Sequence, residues 1–184
     1  MRKLLFAFLL LPFFAQSQTL EFGINAGVAQ ASKETEKMTG QTTPASNWSG
    51  SGSTQNITAA INIFSIKAGA GYELSNRYKD MRSVFAFIDY SKAFKNHEIY
   101  AGLIGGSVSF TNEKTIIYPK GASGYRAGVN AGYTYTLPMG IGFNGQIEYS
   151  YFNVSAKSNT GTKTNTTNFL SITAGIHYKL KLHK

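Results

Sequence analysis

GYTYTLPMGIGFNGQIEY, residues Gly132 to Tyr149, alternates an apolar or aromatic residue with a small or polar one on both sides of Pro138-Met139-Gly140. Successive side chains of a strand point to opposite faces, so the stretch predicts two strands joined by a tight turn, each with one apolar face. The medium that touches that face decides the fold.

The alternation recurs along the chain and predicts strands at Leu20 to Ala29, Asn56 to Ile63, Ile66 to Leu74, Val84 to Ser91, Glu98 to Phe110, Tyr125 to Leu137, Ile141 to Tyr151 and Phe169 to Leu180. Most run about nine to thirteen residues, longer than the usual strand of a soluble sheet and matched to a tilted membrane-crossing strand. The connections alternate too. Phe64-Ser65, Lys92 to His97 and Pro138 to Gly140 are short, Asn76 to Arg82 is intermediate, and Glu34 to Thr54, Thr111 to Gly124 and Asn153 to Asn168 are long and polar. Long loops at one end and short turns at the other are the pattern of an outer-membrane barrel with periplasmic turns; an even strand count then puts both termini on the periplasmic side.

Charge placement points the same way. One parity carries residues such as Leu20, Phe22, Ile24, Ile57, Ile61, Ile66, Val84, Ile88, Val129, Ile147, Ile172 and Ile176, and no charge. The charges of these strands, Glu21, Lys67, Glu73, Asp89, Arg126, Glu148 and Lys179, all fall on the other parity. A Lys or Arg facing lipid at mid-depth costs about 2–4 kcal/mol, so lipid would enforce this segregation. A soluble core also excludes charge, and two further details favour lipid. Tyrosines of the apolar parity, among them Tyr72, Tyr90, Tyr125, Tyr149 and Tyr178, sit near strand ends, as rings do at two membrane interfaces. In the repeated Ala-Gly pairs the Gly mostly takes the polar parity, where it makes room inside a narrow lumen. In the strand from Glu98 to Phe110 the pattern is split: Ile99, Ala101 and Leu103 point one way and Tyr100, Ile104, Val108 and Phe110 the other, so its facing stays open.

Residues 1–17 have a basic start, an apolar run from Leu4 to Phe14 and small residues at Ala15 to Ser17, as in a secretory signal peptide; residues 18–184 form the expected barrel domain. The run is too short to cross a hydrocarbon core as a helix, and no later segment is long and apolar enough. With no cysteine the chain has neither a disulfide nor a lipid-modified Cys. Its charge is +9, or +7 once Arg2 and Lys3 are removed, and the cations are scattered, so no nucleic-acid stripe is visible.

These features resemble the small outer-membrane β-barrel family of the OmpX and OmpA-membrane-domain type, and the signal, which ends in AQSQ, and the composition are similar to Bacteroidota versions. The likeness covers the mature chain and also rests on the repeated AGY or AGI strands at Gly71-Tyr72, Gly132-Tyr133 and Gly175-Ile176. It implies an all-β, eight-stranded antiparallel up-and-down transmembrane β-barrel in the cell outer membrane, monomeric and surrounded by outer-membrane lipid. One departure stands out: such barrels finish on a terminal aromatic residue, whereas this chain ends YKLKLHK.

For function, no GxSxG, HExxH, P-loop or EF-hand motif is present, and His97, His177 and His183 have no partner at metal-ligand spacing. No catalytic residue, cofactor or metal site is expected. Eight strands enclose a space that side chains fill, so Glu21, Lys67, Glu73, Asp89, Arg126, Glu148 and Lys179 are expected to pair into a polar network that plugs the lumen. That leaves a structural or adhesive barrel working through extracellular loops, with Trp48, Ile116, Ile117 and Tyr118 as candidate contacts for a protein or a glycan. The alternatives are a gated small-solute channel and a soluble secreted barrel that binds an apolar ligand inside.

Overall fold

The computed structural model describes residues 18–38, 41–42, 51–76, 81–110, 123–158 and 161–182. They form one antiparallel sheet that closes on itself. Its eight staves are β1 (Gln18–Met38), β3 (Ser51–Ile63), β4 (Ile66–Ser75), β5 (Met81–Phe94), β6 (His97–Phe110), β7 (Ser123–Thr136), β8 (Ile141–Ser158) and β9 (Gly161–Lys181); the two-residue β2 (Gln41–Thr42) folds back on the end of β1. Every stave pairs with its sequence neighbour, and β1 pairs with β9 from Thr19↔Lys181 to Met38↔Lys163, so the barrel has no open seam in its body. Closure satisfies backbone groups that a free edge would leave bare, which is the condition for crossing lipid.

The short connections Phe64-Ser65, Lys95-Asn96 and Leu137–Gly140 lie at one end, together with Gln18 and Lys181. In the last of them Gly140 takes a φ of 89°, donates to the Leu137 carbonyl at 2.9 Å, and lets the Leu137 amide reach the Ile141 carbonyl at 2.7 Å. Residues with a Cβ rarely adopt that backbone, which explains the glycine after Pro138-Met139.

The apolar parity faces outward. Ile24, Val28, Ile57, Val84, Ile88, Val129, Phe143, Ile172 and Ile176 are all more than half exposed, and no charged side chain interrupts them. A band of this extent is far beyond the few hundred Å² that a soluble monomer shows to water, and matches the lipid-facing belt of a membrane barrel. Tyr90, Tyr125 and Tyr178 are exposed near the strand ends, whereas Tyr149, expected there too, is exposed in the middle of β8, because that strand runs on to Ser158. The alternative of a soluble barrel with an apolar ligand inside finds little room: Glu, Asn, Lys, Arg and Thr line the middle of the lumen, and the mid-lumen cavity is about 30 Å³.

β6 falls into line with its neighbours. Ile99 and Leu103 are exposed, while Glu98, Tyr100, Ile104 and Val108 are buried in the lumen. The mixed pattern arises because this strand places apolar side chains inside as well as outside. Glycines opposite the lumenal rings make the room: Phe85 faces Gly71, Phe87 faces Gly69 and Tyr100 faces Gly132, and a Cβ on any of these glycines would run into the ring.

At the other end two connections expected to be loops are strand over part of their length. β8 and β9 continue to the pair Ser158↔Gly161, and β1 continues along β9 to Met38. The segment is rich in Thr, whose branched Cβ favours strands. Beyond the membrane a strand has water on both faces, so the alternation that announces a strand inside lipid is absent from its sequence.

Candidate functional site

The lumen holds two charge clusters, one above the other. Arg126 centres the one nearer the long-loop end. Its cross-strand neighbour on β6 is Gly106, which has no side chain, so the guanidinium passes over it to β5 and β4. Nη1 donates to Glu73 Oε2 at 2.7 Å and to Ser83 Oγ at 3.2 Å, while Nη2 donates to Glu148 Oε1. Thr54 Oγ1 donates to Glu73 Oε1 at 3.0 Å, and Ser150 donates to Glu148. The guanidinium carbon sits 4.9 Å from the Phe85 ring centre and 5.3 Å from that of Phe152. A planar cation between two ring faces, forked toward two carboxylates, is an arrangement that Lys cannot reproduce.

The second cluster, toward the short turns, is a closed ring of four charges. Lys67 Nζ lies 3.1 Å from Glu21 Oε1 and 3.2 Å from Glu98 Oε1; Lys179 Nζ lies 3.4 Å from Glu21 Oε2 and also contacts Glu98 Oε2. Lys67 Nζ is 4.5 Å from the Tyr100 ring centre. Asp89 faces the same space from β5, opposite Lys67 on β4. The structure thus brings Glu73, Arg126 and Glu148 into one group and Glu21, Lys67 and Lys179 into another, with Asp89 beside the second.

Glu98 is the member that reading the sequence missed. Its strand has split apolar parity, so its facing was not legible there. Glu98 bridges Lys67 and Lys179 from β6 just as Glu21 does from β1, so the two carboxylates share both ammonium groups. Glu98→Gln keeps the shape but leaves both ammonium groups with one bridging carboxylate. We expect a loss of about 2 kcal/mol, the scale of hydrogen bonds to charged groups. Urea titration of the folded barrel in lipid vesicles measures it, with exposed Lys92→Gln as a control expected to stay within about 0.5 kcal/mol.

His97 and His177 lie near the short-turn end. His97 Nδ1 is 2.5 Å from Tyr133 Oη and its ring packs at 5.0 Å on Tyr135; His177 Nε2 is 2.9 Å from Thr136 Oγ1. Among the described residues no group of three His, Cys, Asp or Glu side chains has the arrangement of a metal site. Trp48, Ile116, Ile117 and Tyr118, His183 and the signal segment 1–17 lie outside the described residues.

Beyond the Arg126 cluster, on the long-loop side, Ala29, Met81, Val108, Phe152, Val154 and Phe169 form an apolar layer inside the barrel, with the Phe152 and Phe169 rings 4.3 Å apart. The lumen is therefore closed three times over: by apolar packing, by the Arg126 cluster and by the four-charge ring.

No known protein family and no curated protein matches the chain by sequence. Its fold does match solved structures. Neisserial surface protein A is 18% identical with a TM-score of 0.60, the match covering 86% of this chain and 97% of that one. The outer membrane protein AlkL, solved in lipid bilayers, is 13% identical with a TM-score of 0.54, covering 91% of this chain and 92% of that one. At this identity the likeness concerns the fold: the chain is an eight-stranded antiparallel closed barrel of the kind seen in small outer-membrane proteins.

Proposed function

We propose that the protein is a monomeric barrel of the bacterial outer membrane, with short turns and both ends in the periplasm, whose work is done by its extracellular rim. The observation that carries this reading is the contrast between a filled lumen and a rim built beyond the lipid band. β1 and β9 are each 21 residues long, whereas β4, separated from β1 by β3, has 10. The surplus length of β1, β8 and β9 forms a projecting sheet of polar composition, a scaffold from which loops meet a protein or glycan. The Ile116-Ile117-Tyr118 and Trp48 segments are the contacts we assign to that role.

Cells expressing a form in which residues 43–50, which include Trp48, are replaced by a short Gly-Ser linker test it. Adhesion to immobilised matrix proteins and glycans should fall to the level of cells without the protein, while the purified barrel keeps its heat-dependent gel shift. Unaltered adhesion removes this loop from the contact surface. A second reading, a gated pore for small solutes, is favoured by the polar section between the two charge clusters. It requires current in planar bilayers that rises in Arg126→Ala; a near-zero trace in both proteins removes it.

A further inference from the structure

Sorting the charges by location leaves the lumen short of cations. Among the described residues Glu21, Glu73, Asp89, Glu98 and Glu148 face inward, against Lys67, Arg126 and Lys179, in a chain whose overall charge is +9. Arg126 serves two carboxylates, and the two lysines serve Glu21 and Glu98. Asp89 is the carboxylate left over near the middle of the barrel. It is 1% exposed, and although Asn130 and Lys67 are its neighbours, no hydrogen bond of normal geometry reaches either of its oxygens.

Asp89 lines the 30 Å³ cavity between the two clusters, together with Glu21, Lys67, Asn25, Asn130 and Asn144. The side-chain carbonyl oxygens of Asn25, Asn130 and Asn144 likewise have no donor, and Asn25 and Asn130 are 2% and 6% exposed. The one cation in this wall, Lys67, is already shared by Glu21 and Glu98, and a buried carboxylate without a counter-charge of its own is costly. One carboxylate with several amide carbonyls is a ligand set for a hard cation. The space is large enough to admit a water-sized sphere. The inward carboxylates exceed the cations by two, one in each cluster; in the lower cluster Glu21, Glu98 and Asp89 stand against Lys67 and Lys179, and one positive charge matches that excess.

We propose that the mid-lumen cavity beside Asp89 binds a small monovalent cation of the sodium or potassium kind, which completes the charge balance of the lower cluster. The site depends on barrel closure alone and stands whether or not the rim is adhesive.

The refolded wild-type barrel is heated in sodium, potassium and N-methylglucamine chlorides at equal ionic strength and followed by its gel shift. The midpoint should rise saturably in sodium or potassium over N-methylglucamine, a cation too large to enter, and the difference should vanish in Asp89→Asn. Equal midpoints in all three salts overturn the proposal. So does a cation-independent midpoint that rises as pH falls through the carboxylate range, which would assign the balancing charge to a proton. Should Asp89→Asn not fold, wild-type crystals soaked in thallium(I) give an independent reading. An anomalous peak beside Asp89 supports the site, and none at saturating thallium overturns it.

Discussion

Arg126→Ala is expected to destabilise the barrel by about 3–5 kcal/mol, because it leaves two buried carboxylates facing one another without a cation. The Arg126 side chain is 1% exposed, and Glu73 and Glu148 are nearly as buried, so little solvent relieves them. Loss of the stacking on Phe85 and Phe152 adds to the effect. Arg126→Lys keeps the charge but not the fork, and should fall between wild type and alanine. The informative comparison is the triple change Arg126→Met, Glu73→Gln, Glu148→Gln. Removing every charge together avoids the uncompensated state, so it should recover most of what the alanine variant loses. Urea-induced unfolding in vesicles reads all of them. A wild-type-like Arg126→Ala, within about 0.5 kcal/mol, would mean that water reaches the cluster and that the lumen is not sealed there. A triple variant as unstable as the single one would place the energy in ring stacking and not in the charges.

How much of this was legible in the sequence depends on where lipid imposes its rule. Between the two interfaces each residue is either in hydrocarbon or in the lumen, and strands such as β4 and β9 carry that choice at every second position: Ile66, Ala68, Ala70 and Tyr72 against Lys67, or Ile172, Ala174 and Ile176 against Thr173 and His177. Barrel closure, strand number and the placement of the charges follow from it. β6 is less legible because Tyr100, Ile104 and Val108 are lumenal, where packing under the rim and beside Gly132 accepts apolar side chains. A lumen tolerates apolar residues, whereas lipid does not tolerate charge, so only the charged residue Glu98 marks the inward parity of that strand. Outside the hydrocarbon the rule lapses altogether. The extensions of β1, β8 and β9 read as loops because nothing there requires alternation, and their pairing is fixed by backbone hydrogen bonds and by continuation from the staves below. The partners within each charge cluster are also beyond a parity argument: that Arg126 reaches across Gly106 to Glu73 depends on a side chain that is missing from the strand between them.

The outward facing of β6 supplies the test of the medium itself. Leu103 is 61% exposed at mid-strand, flanked across the sheet by Ile88 and Val129, each 52% exposed. In lipid vesicles Leu103→Arg should cost about 2–4 kcal/mol, because the guanidinium stands at the depth where hydrocarbon is thickest around it. Ser107→Arg lies on the same outward face but two repeats of the pleat nearer the long-loop end, where the side chain reaches headgroups and water, and should cost about 0–1 kcal/mol. The depth gradient carries the argument, more than either value. Were the band covered by another protein, both arginines would be judged by local packing and no such gradient would be imposed. Were it bathed in water, both would fall within about 0.5 kcal/mol of wild type. Only an acyl environment charges steeply for the first position and almost nothing for the second. Urea titrations of the two variants in bilayers of one thickness therefore distinguish the three media, and equal costs would remove lipid as the solvent that shaped this sequence.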